Sequence, residues 1–293
     1  MKIPPVEIRS PQSVEQALSV LARLGSDARI LAGGQSLLPM LRYRVINPYA
    51  LVDISRLKEL RSLQTEGGRL SLGALVTHRD IEQLPTQEGE PSAIDLLRRH
   101  AAEIAFRPIR NRGTVVGSLL HADPKGDWPL MFFALAAQVE LRSLRGIRHL
   151  SLHELIAGPL QTKCAVDELA VSVTVSGERL SPLAWGRSKL VHRAGEYAMC
   201  SAIVLRYESG WECWVGALGD CPFMLKTASA MLGDAPGELP DMETKLREAA
   251  MQDLRMNVPE LTAVEAYRHA QNVMDALCQA WPRQGAESEI QHG

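Results

Sequence analysis

Apolar residues at Val14, Ala17, Leu18, Leu21 and Leu24 recur at helical spacing. Ser13 with Gln16 forms a capping-box pattern ahead of them, and Gly25 supplies the stop. The apolar run Ala28 to Ala32 predicts a short buried strand that halts at Gly33-Gly34. Leu37 to Leu41 suits a short helix or a buried crossing, and Asn47-Pro48 breaks the chain. Leu51 to Ile54 predicts a second short strand. Residues 1–55 therefore read as a small β-α-β-like lobe with the glycine turn at its carboxyl edge, where ligands sit in α/β folds.

The pattern then changes. Leu63 and Leu70-Ser-Leu72 flank Thr65-Glu-Gly-Gly68, which predicts a hairpin. Thr77 to Asp80 reads as a helix cap, residues 82–91 as a polar loop, and Ala93 to Ile104 as a helix through Leu96, Leu97, Ala101 and Ile104. Arg107 to Asp127 shows no hydrophobic period. An apolar helix is expected over Leu130–Ala137, a hairpin around Arg145-Gly146, and a strand where Leu169, Val171, Val173 and Val175 alternate. Ser176-Gly177 closes a middle unit, 56–177. Beyond it, strands are expected at 183–190, 199–207 and 211–218, and helices near 226–232, 244–250 and 262–281. Strands followed by helices make 178–285 an α+β unit. The polar end, from 283 with 286–293 as tail, is expected to fray. No internal repeat is visible.

Composition narrows the function. A chain of 293 residues suits two or three units. Its 32 basic and 34 acidic residues argue against a nucleic-acid partner recruited by bulk charge, and 5% aromatic content argues against a stacking platform. No apolar run is long enough to span a bilayer, and Met1 to Pro5 carries no apolar signal core, so a cytoplasmic location is the default expectation. The five cysteines (164, 200, 213, 221 and 278) are odd in number and lack C-x-x-C spacing. That argues against a disulfide framework, a zinc site or a self-contained iron–sulfur cluster. H-E-x-x-H, G-x-S-x-G, G-x-x-x-x-G-K-S/T and G-x-G-x-x-G are all missing.

Two stretches remain that could carry chemistry. In Arg29 to Leu38, Gly33-Gly34 lets the backbone turn and another group approach, backbone N–H groups can form an anion nest, and Gln35 and Ser36 add donors. The plain alternative is a tight turn after a core strand. In Arg107 to Asp127, glycines and hydroxyls suit a phosphate or sugar, and Asp123 and Asp127 suit hydroxyl or ring N–H donors. The plain alternative there is a solvated loop. Facing each other, the two stretches would clamp a long ligand with a phosphate-rich middle, for which a dinucleotide is better suited than a small acid.

Several segments carry a family resemblance, in order: Ile30-Leu-Ala-Gly-Gly-Gln-Ser-Leu37, Leu51-Val-Asp-Ile54, Arg110-Asn-Arg-Gly-Thr-Val-Val-Gly-Ser118 with His121-Ala-Asp-Pro124, and Asp167-Glu-Leu169. Lys189-Leu-Val-His-Arg-Ala-Gly-Glu-Tyr-Ala198, Gly216-Ala-Leu-Gly219 and the last helix continue it. Together they resemble the FAD-binding medium subunit of the molybdenum hydroxylases, the family of xanthine dehydrogenase, carbon monoxide dehydrogenase and the N-heterocycle hydroxylases. The resemblance implies an α+β fold: a two-subdomain FAD-binding region of the vanillyl-alcohol-oxidase (PCMH) type, then an α+β C-terminal domain of antiparallel sheet plus helices.

It also implies that Ile30, Leu31, Ala32, Gly33, Gly34, Gln35, Ser36 and Leu37 hold FAD from one lobe, with Thr114, Val115, Val116, Gly117 and Ser118 opposite. Asp127 matches a position near the ribose or adenine end, Ile104 and Leu169 match positions packing on the cofactor, and Lys189 and Tyr197 match a segment approaching the isoalloxazine. The implied role is electron transfer. Electrons from two [2Fe–2S] clusters on a small subunit reach FAD here and leave to an external acceptor, while a molybdenum pterin cofactor on a large subunit carries the substrate chemistry. A dimer of such heterotrimers is one implied assembly. Val116 stands where the second loop of the family has its first glycine, Cys221-Pro-Phe-Met-Leu225 where Thr-Pro-x-Arg is usual, and His192 where a second arginine is common. Val116 keeps open an alternative: a structural subunit that has lost or weakened FAD binding.

Overall fold

The computed structural model describes residues 3–85, 91–233 and 239–281. Its first unit alternates strand and helix: β1 (Glu7–Arg9), α1 (Val14–Leu24), β2 (Ala28–Leu31), α2 (Leu37–Arg42) and β3 (Ala50–Asp53). The strands form a parallel sheet in the order β1-β3-β2, with Ile8 opposite Leu51 and Ile30 opposite Val52. Helix α1 starts where the Gln16 N–H donates to Ser13 Oγ, but the Gln16 side chain accepts from Gln12 N–H, so the box is only half formed. Strand β1 is not legible in the sequence. Three residues between two prolines show no alternation, and pairing with a strand 43 positions away creates the element.

The second unit holds β4 (Leu63–Glu66), β5 (Arg69–Gly73), α3 (His78–Glu82), α4 (Ala93–Ala102), α5 (Arg107–Arg110), α6 (Val115–His121) and α7 (Asp127–Ala134). It continues through β6 (Gln138–Ser143), β7 (Gly146–Ser151), α8 (Leu152–Leu155), β8 (Ile156–Gly158), β9 (Gln161–Thr162) and β10 (Leu169–Val175). Its antiparallel sheet runs β4-β5-β10-β6-β7. The central β10 places Val173 between Leu72 and Val139, all three fully buried. The stretch 107–127, aperiodic as sequence, contains α5, α6 and the start of α7. Helices of one or two turns are too short to express a 3.6-residue period. Helix α7 begins three residues earlier than its apolar run suggested, with Pro129 in the first turn, where no N–H is needed. Of the expected loop 82–91, Glu82 closes α3 and residues 86–90 lie outside the described residues, as does the tail 286–293.

After α9 (Gly177–Leu180), the last unit is an antiparallel sheet of β11 (Ala184–Leu190), β12 (Cys200–Tyr207), β13 (Gly210–Gly216) and β14 (Phe223–Met224) in that order. Helices α10 (Lys226–Leu232), α11 (Leu239–Asn257) and α12 (Ala263–Ala280) cover it. Helix α11 is much longer than the expected 244–250 segment, because most of its surface is polar. A side chain at Gly186 would overlap the Ala276 carbonyl, so glycine lets α12 lie directly on β11. The other side of the sheet receives α7, whose residues Trp128 to Ala134 are all buried. Two ion pairs tie β11 to the middle unit: Arg187 with Glu103 at 2.6 Å, and Lys189 Nζ with Asp127 Oδ1 at 2.7 Å.

Candidate functional site

A cleft of about 630 Å³ lies between the parallel lobe and the middle unit, with Gly195 to Tyr197 of the last unit on its rim. Its first wall is the turn after β2. Gly34 adopts φ +75°, a conformation that favours glycine. The N–H groups of Gly33, Gly34, Gln35, Ser36 and Leu37 meet no protein acceptor among the described residues. The first acceptor reappears at Leu38, whose N–H donates to Gly34 O at 3.1 Å.

The second wall is the start of α6. Thr114 caps this helix, its hydroxyl accepting from Gly117 N–H at 3.2 Å, and its backbone sits in a bridge with Thr77. Val115 N–H donates to Val76 O, whereas Val116 N–H has no protein acceptor among the described residues. The walls touch. A Cβ on Gly33 would overlap the Arg112 carbonyl oxygen and stand 3.0 Å from Gly113 Cα. The absent side chain at Gly33 therefore serves the contact between lobes, and leaves the donors of that turn lining the cleft.

Fifteen of the eighteen residues expected at a cofactor line this cleft: Ile30, the run Ala32 to Leu37, Ile104, Thr114, Val116, Gly117, Ser118, Asp127, Leu169 and Tyr197. Leu31, Val115 and Lys189 do not. Leu31 alternates away from Ile30 along β2, and Val115 is fully buried in the core. The Lys189 side chain is 3% exposed and spent on Asp127, with a further bond to Glu103 O at 3.3 Å. Val116 needs no positive φ: it is the second residue of α6, and its side chain is packed in the core. A branched residue at this place in α6 therefore strains no backbone.

Burial raises the Asp127 carboxyl above its ordinary value, with Lys189 pulling the other way. Burial and the nearby Asp123 carboxylate push the Tyr197 phenol up to about 12, so it is a neutral hydroxyl. The Cys164 thiol also lines the cleft, and burial pushes it up to about 12, which keeps it unreactive.

Two lining residues are invisible to sequence reasoning, His78 and Trp128. Trp128 Nε1–H donates to His78 Nδ1 at 2.8 Å. His100, fully buried behind them, bonds Asp127 O at 3.0 Å through Nε2. Burial, reinforced by Arg110, lowers His78 to about 4. Apolar walls at Ile104 and Leu169, with a row of free backbone donors between two lobes, match a ligand that is apolar in part and anionic in its middle.

A family model for the FAD binding domain in molybdopterin dehydrogenase matches residues 4–175. The chain belongs to this family. Over 205 residues it is 36% identical to the nicotine 6-hydroxylase medium subunit of Paenarthrobacter nicotinovorans, covering 70% of each chain. Over 209 residues it is 34% identical to the carbon monoxide dehydrogenase medium chain of Hydrogenophaga pseudoflava, covering 71% of each. A solved carbon monoxide dehydrogenase from Hydrogenophaga pseudoflava superposes with a TM-score of 0.84 at 29% identity, over 96% of this chain and 99% of that one. Quinoline 2-oxidoreductase from Pseudomonas putida 86 gives 0.85 at 28% identity, over 96% and 98%. This molybdopterin dehydrogenase chain is thus an FAD-binding oxidoreductase subunit of the medium type, and the α+β fold is that of its relatives. Among the described residues no helix is long and apolar enough to cross a membrane.

Proposed function

We propose that this chain is the electron-transfer subunit of a molybdenum hydroxylase complex, working in the cytoplasm between a small [2Fe–2S] subunit and an external acceptor. The large partner would carry the molybdenum pterin cofactor and the substrate chemistry. The observation that carries the reading is the turn Gly33–Leu37. Its five consecutive free N–H groups stand against the capped start of α6, held there by the Gly33–Arg112 contact.

Bound FAD supplies a carrier able to accept and release electrons singly or in pairs. The residues of the chain do the rest. The Ala32–Ser36 turn and Thr114–Gly117 hold the diphosphate, and Ser118 and Asp127 serve the ribose or adenine end. Ile104 and Leu169 pack on the ring systems, and Tyr197 presents a neutral hydroxyl at the rim. Lys189 acts one step back, balancing the charge of Asp127 from the last unit. With Val116 helical and buried, its branched side chain gives no support to a subunit that has lost FAD.

The test is purification of the complex from its source. The expected result is a flavin absorption spectrum, FAD released on denaturation, and two co-purifying partners that hold iron–sulfur clusters and molybdenum. A colourless complex releasing no flavin refutes the proposal.

A further inference from the structure

His78 is 6% exposed, lines the cleft, and uses only one of its ring nitrogens within the protein. The indole N–H of Trp128 can only donate, so the 2.8 Å bond to Nδ1 makes that nitrogen the acceptor. The proton of the neutral ring is therefore on Nε2. Among the described residues Nε2 has no protein partner, and it is not sealed from the cleft that His78 lines. It lies at the seam of the two walls. A Cβ on Gly113 would meet Nε2 at 2.6 Å, and Gly113 Cα faces Gly33. His78 N–H also donates to Gly113 O at 3.0 Å, which fixes the ring to this spot. A donor that opens on the cleft at this seam, from a ring otherwise buried, is placed to meet an acceptor on a ligand.

We propose that His78 Nε2–H is a further cofactor-binding donor, given to a diphosphate oxygen of the bound dinucleotide, with its tautomer set by Trp128. This rests on the FAD reading above and adds to it a side chain from outside both glycine turns. A neutral imidazole suits the place. Arg110 lies nearby, and burial holds the ring uncharged across the physiological range, so the donor is constant and adds no second buried charge.

The experiment uses the full chain stripped of flavin and titrates ADP and adenosine, which differ by the diphosphate. In His78→Asn the amide reaches the Nδ1 position, so the acceptor for Trp128 is kept and the Nε2 donor is lost. In His78→Gln the amide N–H₂ reaches the Nε2 position and restores the donor. The expected result is ADP binding weakened about tenfold or more in His78→Asn, as for a hydrogen bond to a charged group, with adenosine unchanged and His78→Gln close to wild type for ADP. Equal loss for both ligands, no loss in His78→Asn, or failure of His78→Gln to recover ADP binding overturns the proposal. Wild-type chain that binds neither FAD nor ADP overturns the FAD reading itself, and this inference with it.

Discussion

Gly33→Ala tests the link between the fold and the site. The added Cβ would overlap the Arg112 carbonyl oxygen and lie 2.9 Å from its carbonyl carbon and 3.0 Å from Gly113 Cα. Carbon contacts settle at about 3.5–4.0 Å and the overlap with the oxygen is tighter still, so the two backbones must part by roughly 1 Å or more. Neither can yield cheaply. Arg112 N–H and Gly113 N–H both bond Ile109 O, and Gly113 O accepts from His78 N–H. Overpacking of this kind costs about 1–3 kcal/mol, and in a chain of this size that lowers Tm by several degrees. Parting the walls also draws the donors of Gly33–Leu37 away from Thr114–Gly117. Losing one hydrogen bond to a charged group costs about 1.5–3 kcal/mol, so FAD should bind about 10- to 100-fold more weakly. A hundredfold loss removes about 2.7 kcal/mol of the stabilisation that saturating FAD confers.

The assay is a flavin titration of the full chain with thermal melts recorded with and without FAD. Val204→Ala is the control, since Val204 is fully buried in the last sheet and far from the cleft lining. The expected outcome is destabilisation of both variants, with the FAD-induced rise in Tm reduced only in Gly33→Ala. Wild-type FAD affinity in Gly33→Ala, or an equal loss in the control, refutes the reasoning.

Val116→Gly empties a core position in the first turn of α6, at a cost of about 2–3 kcal/mol. Flavin content measured after purification should not rise; a large rise would restore the view that Val116 obstructs the site. Lys189→Met leaves the Asp127 carboxylate buried without its counter-charge, at about 3–5 kcal/mol. Burial already raises the Asp127 carboxyl, and losing Lys189 raises it further, so the folded state then holds its proton more tightly than the unfolded state. The deficit must therefore be full at alkaline pH and shrink as pH falls through the raised value. Melts at several pH values should show this, with Asp127→Asn recovering most of the loss; a deficit constant with pH refutes it.

Long elements with a clear apolar face were legible because they have room to repeat, whereas the mostly polar α11 was read as seven residues of its nineteen. Helix α12 announces itself by the Thr262–Glu265 box and an apolar face repeated at helical spacing over 18 residues, and β10 by four alternating apolar positions. Strand β1 and helices α5 and α6 were not, since three to seven residues leave no periodic signal. The site divides the same way. The two turns are contiguous in sequence, so their residues could be named by number. His78 and Trp128 are 50 positions apart, and each reads singly as an ordinary core residue. The Lys189–Asp127 pair was not legible either, because its partners belong to different units and a lone lysine carries no trace of a buried pair.

At three glycines of the site, protein atoms occupy the space that a side chain would fill. The missing Cβ of Gly33 faces Arg112, that of Gly113 faces His78 Nε2, and that of Gly117 faces the capping hydroxyl of Thr114 at 2.5 Å. The glycines thus bring one lobe, one imidazole and one helix cap close enough to form a single seam. What that seam offers a ligand is a set of fixed donors, held in place by the fold along the cleft. Fixed donors of this kind bind an anion without the entropic cost of ordering side chains around it. Lobe contact and cofactor cradle are then one structure, so any change that loosens the first must weaken the second.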